Sequence, residues 1–159
     1  MPGEVEKILE SLGWRLPDVG KPLGSYVQSV RTGNMLFVSG KFPKENGKLK
    51  HVGTIGREIT VEQGIEAARL AALGILATAK QAVEDLDRIR RVVELVGYVV
   101  AAPGFQDAFE VMEGASEVFV KLYGDRGKHA RVVVGVAELP LNACLQVHAT
   151  LEVEPPEPR

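Results

Sequence analysis

The chain has 159 residues, 45% hydrophobic and 25% charged, which is the balance of one ordinary globular domain and not of a disordered or fibrous chain. Nineteen basic against twenty-one acidic side chains give a formal charge of -2, so there is no global field for nucleic acid or an anionic membrane, and an RNA contact would need a local basic patch. The single cysteine, Cys144, excludes an internal disulfide, and His51, His129 and His148 lack metal-ligand spacing, so no metal site is expected.

The opening Met1-Pro-Gly-Glu-Val-Glu-Lys7 is acidic without an apolar signal core, and glycines and charges interrupt every stretch that could span a bilayer. A cytoplasmic protein without membrane contact is expected. Val5, Ile8, Leu9 and Leu12 fall at helical spacing, and Gly13 is placed to stop the helix, which makes residues 1–20 a leader helix and linker. Tyr26–Val30 and Met35–Val38 read as two strands of a hairpin across Arg31-Thr-Gly-Asn34. Gly40–Gly56, rich in Gly, Lys and Pro, is a candidate functional loop. Thr60 with Gln63 forms a capping box, followed by an apolar stripe through Ile65, Ala68, Ala72, Ile75, Leu76, Ala79 and Val83. The charge run Glu84–Arg91 reads as a solvated helix end and turn. Arg91–Val100 is a β-branched strand, and a second amphipathic helix carries Phe105, Phe109, Met112, Phe119 and Leu122 near its apolar side. Strands at Arg131–Ala137 and Cys144–Val153 complete a single domain, 21–154, before the proline-rich tail 155–159.

In the last strand Leu145, Val147, Ala149, Leu151 and Val153 alternate with Gln146, His148, Thr150 and Glu152, so its two faces differ. Residues 92–100 and 132–136 are apolar on both faces, yet two long helices cover only one side of such a sheet. An interface with further copies of the chain is the economical cover for the other side.

Arg131 opens the most strongly β-patterned stretch, immediately after the turn-like Gly124–His129. A guanidinium at the edge of apolar burial suits bidentate grip of a carboxylate. Taken on its own, however, an arginine so placed is more often one that caps a strand edge or pairs with an acidic neighbour.

Several segments together resemble the reactive intermediate deaminase family, also called Rid or YjgF-like: Leu23-Gly-Ser-Tyr-Val-Gln28, Met35-Leu-Phe-Val-Ser-Gly-Lys-Phe-Pro43, the helix from Thr60, the strand Val92–Val100, and His129-Ala-Arg-Val-Val-Val-Gly-Val-Ala-Glu-Leu-Pro140. The leader and the Glu113-Gly-Ala-Ser116 segment are similar to a longer subgroup. The resemblance implies an α/β (α+β) chorismate-mutase-like fold, a mixed sheet with two long helices on one face, assembled as a homotrimer with a ligand cleft at each subunit interface.

What the resemblance implies for the site is carried over residue by residue. Arg131 matches the arginine that clamps the carboxylate of a 2-imino or 2-enamino acid, and Val133 the position whose backbone binds beside it. Ser39 and Gly40 match the Ser-Gly turn at the cleft, and Tyr26 a tyrosine that lines it. Lys41 stands where glutamine is frequent and would add a second cation near Arg131. Gln146 aligns with the glutamate that handles the attacking water in short members; glutamine positions a water but cannot take its proton. Glu113 replaces an asparagine, which offers a carboxylate at a different wall of the cleft. Hydrolysis of an already reactive imine needs orientation and charge stabilisation, with no metal or organic cofactor. The implied function is hydrolytic deamination of small imino acids to a 2-keto acid and ammonia. The alternative is a non-catalytic binder of small carboxylates. A ribonuclease or translation inhibitor has less support, because no basic stripe with interleaved aromatics is present.

Overall fold

Thr60 caps the longest helix, α2 (Val61–Val83), as its spacing to Gln63 predicts: the Thr60 hydroxyl accepts from the Gln63 backbone N–H at 3.1 Å, and the Gln63 side chain accepts from the Thr60 N–H at 2.9 Å. The computed structural model describes residues 2–158. In chain order the other elements are α1 (Glu4–Ser11), β1 (Ser29–Thr32), β2 (Met35–Lys41), β3 (Lys44–Glu45), β4 (Lys48–Leu49), β5 (Ile89–Val100), α3 (Ala108–Tyr123), β6 (Ala130–Val136) and β7 (Leu145–Val153).

Five strands form one mixed sheet in the order β1-β2-β7-β5-β6. Among the described strands of this sheet β5 and β6 alone run parallel, with α3 as the crossover that such a pair requires. The alternation in β7 is realised throughout: Leu145, Val147, Ala149, Leu151 and Val153 are buried, and the residues between them are half-buried. The buried row faces α2, while α3 packs over β5 and β6 in the same core. Two glycines let these layers close. A Cβ on Gly114 of α3 would sit 2.0 Å from the Ile65 carbonyl oxygen of α2, and one on Gly97 of β5 would sit 2.4 Å from the Met112 sulfur.

Among the described residues the opposite sheet face carries no helix. The strand register puts Val30, Phe37, Val96, Tyr98, Val132 and Val134 on it together with Gln146 and His148. Val30 is 53% exposed, Val132 49%, Phe37 46% and Val134 41%.

Three expectations need correction: the start of the first strand, the apolar side of α3 and the solvated charge run. The first strand begins at Ser29 and not at Tyr26, because β2 bulges between Val38 and Lys41 and the ladder that would extend β1 toward Tyr26 is broken there; Ser39 instead donates its N–H to Gln28 O and its hydroxyl to Val27 O. In α3, Met112, Phe119 and Leu122 are buried, but Phe105 precedes the helix and Phe109 is 60% exposed, since it stands in the first turn above the edge strand with no further strand beneath. The 40–56 loop contains the β3–β4 hairpin and is fastened to α2: Lys50 bridges Glu45 at 2.7 Å and Glu66 at 2.6 Å, holding the Glu66 carboxyl below its usual range. The charge run is only partly solvated. Leu86 within it is fully buried, and the Asp87 carboxylate accepts the backbone N–H groups of Glu4 and Val5 at 2.8 and 2.9 Å, capping α1.

Candidate functional site

Arg131 lies on the edge strand β6, opposite Leu95, which in turn pairs with buried Ala149; its side chain therefore leaves the sheet on the helix side. There α3 receives it. Nη1 donates to Glu113 Oε1 at 2.6 Å and to Ser116 Oγ at 3.1 Å, and Nη2 donates to the Phe109 carbonyl at 3.2 Å. Glu113 and Ser116 are three residues apart on a helix and so share a face. The Arg131 side chain is 21% exposed and that of Glu113 62%. Among the described residues Nε makes no hydrogen bond and Nη2 makes one of its two, so the Nε/Nη2 edge retains donors suited to an incoming carboxylate.

Ser116 is itself anchored. Its Oγ lies 2.8 Å from His129 Nε2, and His129 Nδ1 lies 2.7 Å from the Gly127 carbonyl. A carbonyl only accepts, so Nδ1 carries the hydrogen; in the neutral ring Nε2 then accepts the serine hydroxyl, leaving Ser116 oxygen lone pairs for Arg131. The sequence reading missed Ser116 and His129 as parts of this site. The legible signal was a serine within the apolar stripe of α3, between Met112 and Phe119.

The remaining candidates gather around the β2 bulge. Gly40 touches Gln146: a Cβ there would fall 2.5 Å from Gln146 Nε2. Gln146 pairs across the ladder with Tyr98, whose ring stacks on His148 with centroids 5.8 Å apart. Tyr26, Gly40 and Lys41 line a cavity of about 110 Å³ closed by the leader linker and α2. Lys41 pairs with Val147 in the ladder and hydrogen-bonds the Gln28 side-chain carbonyl. Burial, with the nearby Lys44 ammonium second, lowers its amine to about 8. Val133 is partly buried against the core on the same side as Arg131.

The candidates thus form two groups in one chain. Arg131, Glu113 and Val133 lie at the β6 edge; Tyr26, Ser39, Gly40, Lys41 and Gln146 lie around β2 and β7. Two strands separate β2 from β6, a distance of about 14 Å. Lys41 therefore does not stand beside Arg131 within one chain, and Gln146 and Arg131 emerge on opposite sheet faces. The described residues contain no cluster of three metal-ligating side chains, and no helix among them is long and apolar enough to cross a membrane.

Residues 6–153 match the family model described as "YjgF/chorismate mutase-like, putative endoribonuclease". Protein TCP17 of Trypanosoma cruzi is 39% identical over 95% of each chain. A crystal structure of a protein of unknown function from Agrobacterium tumefaciens superposes with TM-score 0.89 at 40% identity, over 94% of this chain and 92% of that one. A "putative endoribonuclease" from Shewanella oneidensis superposes with TM-score 0.92 at 32% identity, over 95% of this chain and all of that one.

Proposed function

Since the chain belongs to the YjgF-like (Rid) family, with the mixed sheet and helix layer of that family, we propose that it hydrolyses small 2-imino or 2-enamino acids to a 2-keto acid and ammonia. The observation that carries the reading is the Arg131 guanidinium, steadied from α3 on one side with donors left on its Nε/Nη2 edge. A substrate carboxylate takes that edge bidentately. Water then adds to the imine carbon, its proton passes to a base, the nitrogen is protonated, and the carbinolamine collapses with loss of ammonia. Glu113 is the base in this reading: Oε1 is held by Arg131, and Oε2 has no hydrogen bond among the described residues. Gln146 orients the water.

Because the two groups of residues sit about 14 Å apart on one chain, the reading includes a cleft between copies, Arg131 and Glu113 from one and the Gly40–Gln146 wall from another. The apolar, helix-free sheet face supports a homotrimer that covers it. Non-catalytic carboxylate binding is the second reading, favoured by one observation: the amide of Gln146 stands where a proton acceptor would serve hydrolysis better.

The test follows 2-iminobutanoate and 2-iminopropanoate, generated in situ by an amino-acid oxidase, with wild type, Arg131→Ala and Arg131→Lys. Acceleration by wild type, lost by about 2–5 kcal/mol in the alanine variant and little recovered by lysine, supports the deaminase. No acceleration by folded, oligomeric wild type, with retained keto-acid binding, moves the assignment to the binder.

A further inference from the structure

The Lys41 amine is poorly neutralised. It makes no ion pair among the described residues; its partner is the neutral amide of Gln28. Its stem lies along α2 where Gly74 leaves room, a Cβ at that glycine falling 3.5 Å from Lys41 Cβ and Cγ. Beside it is the cavity of about 110 Å³, several times the ~30 Å³ of one water. Its charged lining is mostly basic: Lys44 beyond β2 and Lys21 on the leader linker, against Asp18 as the one carboxylate. Of the other walls, Tyr26 adds a phenol, and α2 contributes Leu70, Gly74 and Thr78, none of which ionises near neutrality. A lysine removed from water beside another cation is the arrangement that yields a nucleophilic amine.

We propose that Lys41 is a carbonyl-reactive lysine, forming a reversible imine with a small oxo acid admitted to the cavity between the leader linker, β2 and α2. The neutral Lys41 nitrogen attacks the carbonyl carbon, and a C–N bond forms as the carbonyl oxygen takes a proton, giving a carbinolamine. Loss of that oxygen as water, with both amine hydrogens, leaves the C=N bond, and rehydration releases the oxo acid and the free amine. Lys44 and Lys21 favour the acid group of the ligand. The lowered amine basicity, to about 8, leaves a substantial neutral fraction near neutral pH, where an ordinary lysine has almost none. This reaction is chemically separate from imine hydrolysis at Arg131 and is read without any turnover assay, so either can fail alone.

The experiment incubates the full-length wild type with pyruvate and cyanoborohydride, which reduces an imine to a stable secondary amine, and maps the adducts by peptide mass spectrometry across pH. The expected result is one dominant adduct at Lys41, forming at least tenfold faster than at exposed Lys48 or Lys128. Its rate should level off above about pH 8, while those of exposed lysines continue to climb. Lys44→Ala should slow it, and acetone, a carbonyl without an acid group, should prefer Lys41 over the exposed lysines by a smaller factor than pyruvate does, because only the neutral fraction of the amine then favours it. Labelling spread over the lysines in proportion to exposure overturns the proposal, and because it is read on wild type it does not depend on Lys41→Arg folding. An equal preference for Lys41 with pyruvate and with acetone, unaffected by Lys44→Ala, overturns the oxo-acid assignment.

Discussion

Arg131 Nη1 and Glu113 Oε1 meet at 2.6 Å between the edge strand β6 and α3, so the cation assigned to a ligand carboxylate already holds a carboxylate of its own chain. Glu113 is more than half exposed, and an exposed pair of this kind contributes about 1 kcal/mol or less. It steadies the guanidinium without saturating it. Glu113→Gln keeps a hydrogen-bond acceptor for Arg131 and removes the proton acceptor. The expected outcome is a fall in kcat of about 100-fold or more with KM changed by less than ~5-fold. Unchanged kcat in steady-state imine hydrolysis would leave Glu113 as a tether of Arg131 and nothing more.

Gly114 sits next to Glu113 and sets how closely α3 approaches α2. An alanine Cβ there would lie 2.0 Å from the Ile65 carbonyl oxygen, which is backbone and cannot swing away. Gly114→Ala is expected to cost on the order of 3 kcal/mol, read as a lowered urea midpoint, and to disturb Arg131 by shifting the helix that holds it. An unchanged midpoint would mean the two helices separate without cost.

Cys144 is fully buried immediately before β7, and burial pushes its thiol from the usual 9.0 up to about 11. A raised thiol pKa penalises the thiolate in the folded state alone. This contribution is therefore constant below about pH 9, and stability falls as pH rises from there toward 11. Cys144→Ala should flatten that part of the stability profile relative to wild type, and iodoacetamide at pH 8 should modify Cys144 only on unfolding. Rapid alkylation of the native protein would contradict the packing role.

Val132 and Val134 stand on the helix-free face at 49% and 41% exposure. Light scattering at low micromolar concentration is expected to give a trimer, and Val134→Glu to release monomers, since an unpaired carboxylate cannot be buried in an apolar interface without several kcal/mol of cost. A wild type that remains monomeric would remove the intersubunit cleft.

Patterns local in the chain translated directly into structure. Thr60 and Gln63 announce the start of α2 because the capping box needs only four residues, and the alternation from Leu145 to Val153 identifies the buried face of β7 because strand side chains alternate whatever the neighbour. What was not legible depends on partners distant in sequence. The bulge at Ser39–Lys41 that delays β1 is a property of the β2–β7 register, and no residue in Tyr26–Gln28 encodes it. Arg131 and Glu113 were each legible as candidates, but their contact joins a helix to a strand across eighteen positions. His129 was silent for the same reason, and Ser116 showed only as a serine within an apolar stripe, with no sign of what it would touch. Lys41 carried an expectation of closeness to Arg131 that strand order, invisible in a linear chain, does not fulfil within one subunit.

Asp87 reaches back more than eighty positions to cap α1, and Gly3 has no space for a side chain there, a Cβ falling 2.4 Å from the Asp87 carboxylate. An eight-residue helix is too short to persist alone in water. The leader therefore has no stable form apart from the turn after α2 that caps it and the core that takes Val5 and Leu9. The linker it anchors, and with it one wall of the Lys41 cavity, is thus tied to the turn after α2 through the Asp87 carboxylate and to the core through Val5 and Leu9.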